Sequence, residues 1–301
     1  VVRVTCDGKD AAIGTVIGPD GWILTKASEL KGKIVCKMHD KRELEAKVVG
    51  IDQRFDLAMI KVDAVDLPRI EWNLAKQTVG QLVASPGIDG EPLAMGVVSI
   101  PRRPIPPPSG ILGILFKEGT EDGEINRVLE KSPAAKAGLK VKDVIVGVNG
   151  KPALKRTEVI AIVKKYPPGT AITLKVKRDA KEMEIKATLG KMENASTRKR
   201  DMQNAMGVGM SKRRDGFPIV LQHDMVLKPT DCGGPLVDLT GKAIGVNVAK
   251  GGRTETYCVP SDVLVMLMYD LMSGRLAPPA VVKARQKAAA EKKAAEAAAK
   301  K

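Results

Sequence analysis

A chain that carries Cys232-Gly233-Gly234-Pro235 ahead of Leu236-Val237-Asp238-Leu239-Thr240-Gly241-Lys242-Ala243-Ile244-Gly245-Val246-Asn247 has few ways to fold around that stretch. Two glycines behind a reactive side chain permit a sharp backbone turn that brings the side chain and its own N–H into one cleft. The residues that follow read as strand, tight glycine turn and strand, as expected of a loop seated on a β-barrel. Residues 1 to 75 repeat that grammar. Short apolar runs, Val1 to Cys6, Ala12 to Ile17, Trp22 to Thr25, Lys33 to Met38, Glu45 to Ile51 and Leu57 to Val62, alternate with turn residues at the spacing of a small antiparallel barrel.

The stretch Asp231 to Leu236 resembles the nucleophile segment of the Deg/HtrA family of PDZ-containing serine proteases, with a thiol at the reactive position. Gly18-Pro19-Asp20-Gly21-Trp22-Ile23-Leu24-Thr25 is similar to the hairpin that precedes the family's catalytic histidine. Asp52 to Val62 is similar to the segment that carries the catalytic aspartate, which falls on Asp56. Gly110-Ile111-Leu112-Gly113-Ile114, Ser132-Pro133-Ala134-Ala135-Lys136-Ala137-Gly138-Leu139 and Asp143 to Gly150 resemble a PDZ domain of the same type. Thr157 to Tyr166, apolar at 159, 160, 162 and 163, suits the helix beside a PDZ groove.

The resemblance implies a mainly β fold: a trypsin-like double β-barrel with a PDZ domain inserted in the second barrel and a helical Ala/Lys-rich tail. The expected division is 1–75 for the first barrel, 76–103 for the start of the second and 104–190 for the PDZ domain. Residues 191–215 then form a mobile basic connector, 216–278 the remainder of the second barrel with a terminal helix, and 279–301 the tail. Pro101 to Pro108 reads as a stiff extended exit from the barrel, because proline fixes φ and donates to no ladder. Ser261 and Asp262 are expected to cap the terminal helix and Gly274 to stop it.

Proton transfer to and from a nucleophile needs a base, oriented by a carboxylate. The family pattern puts its histidine at the position of Ser28, so the triad-equivalent residues are Ser28, Asp56 and Cys232. A hydroxyl accepts no proton at neutral pH, and removal of the base from a comparable triad costs about 10⁶ in rate. Substitute bases are His39 in a polar turn, His223 on the strand that enters the nucleophile loop, and Lys26. The oxyanion-hole equivalents by resemblance are Thr230 and Cys232, with threonine where glycine is usual. The specificity pocket is expected at Val226, Tyr257 and Cys258 and should favour a small aliphatic side chain. In the PDZ domain, Leu112, Gly113, Ile114 and Leu115 are expected to meet a peptide backbone and its carboxylate, and Val159, Ile160 and Val163 to line the groove.

Four cysteines, Cys6, Cys36, Cys232 and Cys258, have no metal-type spacing, and no cofactor is expected. Cys6 and Cys36 read as buried free thiols that an oxidising compartment would allow to pair. The formal net charge is +15, gathered in basic clusters and the tail, yet only 3% of residues are aromatic. That balance fits weak nonspecific attraction to polyanions rather than nucleic-acid reading. No run is apolar enough to span a membrane. The chain opens on Val1 in what reads as mid-strand, which leaves an upstream segment open; by resemblance an exported or cell-envelope location and a trimer are expected. Two functions compete on the residues alone: a protease homologue with impaired or absent peptidase activity that binds peptide C-termini or unfolded polypeptides, and an endopeptidase with Cys232 as nucleophile and a nonstandard base.

Overall fold

The computed structural model of the chain describes residues 1–191 and 209–283. Two compact units emerge, Val1–Pro106 with Met202–Lys301, and Pro107–Asp201. The expectation for the Ala/Lys-rich tail falls mostly on residues 284–301, outside the described residues.

In the first unit, β1 (Val2–Cys6), β2 (Lys9–Gly18), β3 (Trp22–Lys26), β4 (Ile34–Lys37), β5 (Glu43–Asp52) and β6 (Leu57–Val62) close a barrel in the order β1-β2-β3-β6-β5-β4. A strand exposes alternate residues to opposite faces, so Val2, Val4, Ala12, Ile23, Cys36 and Ile60 fill one interior while their neighbours face outward. The second barrel begins with β7 (Leu82–Pro86) and β8 (Pro92–Ile105). Its remaining strands follow the second unit in the chain.

The proline-rich stretch departs from expectation. Strand β8 continues through Pro101 and Pro104 to Ile105 instead of leaving the barrel at residue 100. Up to Val97 it pairs with β7, and beyond that point its ladder runs along residues 217–223. With a single partner there, the proline nitrogens can face the open side of the strand, where no N–H is needed.

The second unit holds β9 (Ile114–Phe116) and β10 (Ile125–Val128) as one pair. Strands β11 (Val144–Val148), β12 (Lys151–Pro152), β13 (Ala171–Arg178) and β14 (Lys181–Thr188) form a four-stranded sheet. Short helix α1 (Pro133–Lys136) starts at Ser132, whose hydroxyl accepts from the Ala135 N–H at 3.1 Å. Helix α2 (Arg156–Val163) turns Val159 and Val163 into a core with Ile125, Ile145, Ile172 and Leu174.

Returning to the first unit, β15 (Phe217–His223), β16 (Pro235–Val237), β17 (Ala243–Gly252) and β18 (Glu255–Pro260) close the second barrel in the order β15-β18-β17-β16-β7-β8. Helix α3 (Ser261–Ser273) ends at Gly274, which takes the left-handed conformation at φ 78°. The expected caps at its start act elsewhere. Ser261 donates to the Asn73 carbonyl at 2.6 Å and Asp262 pairs with Arg102 at 2.6 Å, leaving Pro260 to begin the helix. Leu264, Leu267 and Leu271 of α3 join Leu57 and Met59 of the first barrel and Phe217, Val246 and Tyr257 of the second in one apolar cluster, which locks the barrels together.

Candidate active site and peptide groove

The loop around Cys232 is a single 3-10 turn, Pro229–Asp231, followed by the two glycines. Its seat is the β2–β3 hairpin. The Ile13 N–H donates to the Cys232 carbonyl at 3.0 Å, and Thr15 Oγ1 to the Gly233 carbonyl at 3.2 Å. Gly233 has φ 100°, and a Cβ there would lie 2.2 Å from the Ile13 carbonyl, so only glycine fits. Its N–H reaches the Asn247 carbonyl at 2.6 Å, tying the loop to β17.

The three triad-equivalent residues lie in this one unit, and two of them, Ser28 and Asp56, are joined directly. Both oxygens of Asp56 are engaged by Ser28: the Ser28 N–H donates to Oδ1 at 2.8 Å and Ser28 Oγ donates to Oδ2 at 2.8 Å. Serine thereby fills the histidine's place as a donor to the carboxylate and presents no base beyond it. Asp56 itself is buried, at φ 57°, and burial raises its pKa despite the nearby Lys26 ammonium, the Ser28 hydrogen bonds and Arg213.

Cys232 is 0% exposed, and burial pushes its thiol up to about 11, against the opposing pull of Lys26. The thiol donates to the Lys228 carbonyl at 3.9 Å, and Ser211 and Lys250 lie near enough to act electrostatically on the sulfur. The oxyanion geometry is closed as well. The Cys232 N–H donates to the Pro229 carbonyl at 3.4 Å across the 3-10 turn, so it points into the loop. Thr230 adopts no positive φ; its carbonyl accepts from Arg3 Nη1 at 3.0 Å. An oxyanion hole needs N–H donors aimed at the reacting carbonyl, and this loop aims its donor elsewhere.

Of the substitute bases, His39 is exposed and its Nδ1 lies 2.7 Å from the Ile88 carbonyl. His223 is buried in the second barrel, with Nε2 2.8 Å from Asn247 Oδ1, while Asn247 Nδ2 donates to Ser85 Oγ at 3.2 Å. Burial lowers the His223 pKa to about 4, so its ring is neutral at pH 7. Lys26 is 0% exposed, its ammonium 3.8 Å from Glu29 Oε1 and without a hydrogen-bond partner among the described residues.

The His223 assignment carries its own pH signature. The unfolded chain binds this proton near 6.5 and the folded chain only near 4, so His223 contributes stability above 6.5 that is lost as the pH falls toward 4. Between pH 7 and 4.5 the loss is on the order of 2 to 3 kcal/mol. Urea midpoints at the two pH values measure it, and His223→Gln should remove that part of the slope; an unchanged slope contradicts the assignment.

The expected specificity pocket does not assemble. Val226 is 52% exposed. Tyr257 and Cys258 are neighbours on β18 and face opposite ways, Tyr257 toward Phe217 and Cys258 into a cluster with Leu221, Leu236 and Ile244.

In the second unit, a groove of about 370 Å³ runs between β9 and α2. It includes all seven expected residues, Leu112, Gly113, Ile114, Leu115, Val159, Ile160 and Val163, and adds Gly110, Ile111, Phe116, Leu129 and Lys164. Strand β9 pairs only with β10 among the described residues, which leaves one edge open beside the helix. The Leu112 and Gly113 carbonyls accept from Ala134 and Leu129, while their own N–H groups donate to no protein group among the described residues.

Residues 110–189 match the PDZ domain family. A protein of Pseudomonas savastanoi pv. phaseolicola named "Probable periplasmic serine endoprotease DegP-like" is 25% identical over 84% of this chain and 69% of its own length. A protein of the same name from Pseudomonas fulva is 26% identical over 74% of this chain and 65% of its own length. The chain is similar to PDZ-containing proteases of the Deg/HtrA type over most of its length. It thus spans about two thirds of the length of these Deg/HtrA relatives. A solved serine endoprotease from Yersinia pestis overlaps at a TM-score of 0.32 and 23% identity, covering 64% of this chain and 94% of its own. The two closed barrels and the PDZ unit make the chain mainly β, with a trypsin-like architecture.

Sequence reasoning missed Ser211 and Lys250 beside the thiol and Lys164 at the end of the groove helix. Lys164 follows Val163 on a helix already known to line the groove, so helical spacing was enough to find it. Ser211 had no such signal within a polar connector. The connector's expected mobility does not hold for its described end: Ser211 is 0% exposed.

Proposed function

We propose that this Deg/HtrA-like protein captures polypeptides through its PDZ groove and does not cut them at Cys232. The observation that carries the reading is the Ser28 hydroxyl on Asp56: the carboxylate that would orient a base holds a group that cannot act as one. The buried thiol and the inward-turned Cys232 N–H support it, since each would have to change before an acyl intermediate formed.

The groove favours an extended chain ending in an apolar residue. An incoming strand would pair along the open edge of β9, its carboxylate beside the free N–H groups of Leu112 and Gly113 and the Lys164 ammonium. Replacing Ile160, which is partly exposed and lines this groove, with glutamate places a charge against that apolar side chain. Peptide affinity should fall by about tenfold or more while the melting temperature barely moves. Fluorescence anisotropy with a peptide ending in valine reads the effect, and unchanged affinity would remove the groove from the account.

The competing reading, an endopeptidase with Cys232 as nucleophile and Lys26 as base, draws on one observation: a fully buried ammonium that acts electrostatically on both Asp56 and Cys232. Against it, the thiol stays near 11 even with Lys26 present. The relatives are named periplasmic, and we extend a cell-envelope location and a trimeric assembly to this chain on that kinship. No helix among the described residues is long and apolar enough to cross a membrane.

A further inference from the structure

The described end of the connector, residues 209–216, bridges the two barrels beside the Cys232 loop. The Ser211 N–H donates to the Lys250 carbonyl at 3.1 Å and the Lys250 N–H donates to Ser211 Oγ at 2.9 Å. These two bonds occupy the side of β17 that opens once β16 has ended, next to the Asn247 carbonyl held by Gly233. Ser211 therefore occupies the open β17 edge where an extended polypeptide would pair, close enough to the thiol to act on it.

The next two side chains cross to the first barrel. Lys212 Nζ pairs with Glu29 Oε2 at 2.8 Å, one residue beyond Ser28. The Arg213 guanidinium donates to the carbonyls of Gln53 and Arg54, just ahead of Asp56, and to that of Gly216, and lies 4.9 Å over the Phe217 ring. The Lys212–Glu29 pair is largely solvent-exposed on the lysine side, so the charge-assisted bonds of Arg213 supply most of the hold on the first barrel.

We propose that Ser211-Lys212-Arg213 is an internal pseudosubstrate: it closes the cleft in cis, and the vacated edge takes an extended chain with a small hydroxyl residue followed by two basic residues. A tethered segment acts at an effective concentration of about millimolar, so a free chain gains entry only when the tether's anchors loosen. The proposal concerns the barrel cleft and stands apart from capture by the PDZ groove.

The test uses the full chain, with Lys212→Ala and Arg213→Ala combined, and reads iodoacetamide modification at pH 8.5 by peptide mass spectrometry. Cys258, equally buried but held in the second-barrel core, monitors unfolding. The double variant should modify at Cys232 about tenfold faster than the unaltered chain with Cys258 unchanged, and a synthetic Gly-Met-Ser-Lys-Arg-Arg peptide at millimolar concentration should restore protection. An unchanged Cys232 rate, or a rise that the peptide does not suppress, overturns the proposal. If Cys258 also becomes reactive, Ser211→Ala decides instead: faster hydrogen exchange of the Lys250 amide supports the pseudosubstrate, and unchanged exchange overturns it. Binding of a PDZ ligand is measured in parallel, so a failure in the cleft remains distinct from one in the groove.

Discussion

At pH 7.5, Cys232 in the native chain will react with iodoacetamide at least about 100-fold more slowly than the same residue in urea-unfolded chain. The thiolate is the reacting species, and burial moves this thiol to about 11. Relative to a free thiol near 8.5, that lowers the thiolate fraction about 300-fold at pH 7.5. Higher basicity makes the remaining thiolate a better nucleophile and recovers roughly tenfold. The rest of the expected slowing comes from burial, because the sulfur is fully covered and the reagent must wait for local opening. Native and unfolded rates within an order of magnitude of each other would mean an activated thiol and would favour the peptidase reading.

The second large effect is on stability. Gly233→Ala should lower the stability of the barrel unit by about 3 kcal/mol or more. Two costs add at this position. An alanine would have to hold φ near 100°, and its methyl would meet the Ile13 carbonyl at 2.2 Å and Thr25 Oγ1 at 2.7 Å. Neither neighbour is free to move, since the Ile13 carbonyl already accepts from Thr25 Oγ1 at 2.7 Å and Ile13 N–H holds Cys232. A loss of that size corresponds to a fall of about 10 °C in melting temperature for a unit of roughly 200 residues. A fall under about 2 °C would show that the loop relaxes away from the hairpin and that its shape is not built into the fold.

The barrels were legible because each strand carries its own evidence, a short apolar run closed by turn residues, and the PDZ groove was legible because its strand and helix sit in unbroken local motifs. Strand β8 was misread at Pro101 because proline signals a break locally, whereas its tolerance depends on having only one neighbour there. That neighbour, β15, begins more than a hundred residues away in the chain. Ser211 was illegible for a related reason: a polar, basic composition is the composition of a solvated connector, and Ser211 is buried against strand β17 beside Lys250, a partner 39 residues away in the chain. The opposed faces of Tyr257 and Cys258 could have been read from strand alternation alone. The missing histidine was the most legible feature of the site, and the hydrogen bond from Ser28 to Asp56 adds what the residue types could not, that the vacancy is filled.

The central claim is that capture has outlived cutting in this chain. It is tested by incubating the purified protein and its Cys232→Ala variant overnight with unfolded casein and with an apolar-ended peptide, then separating bound from free and weighing every product by mass spectrometry. The account predicts intact peptide in the bound fraction and the same products from both proteins. Fragments that accumulate over many turnovers with the unaltered chain, and disappear with Cys232→Ala, would contradict it.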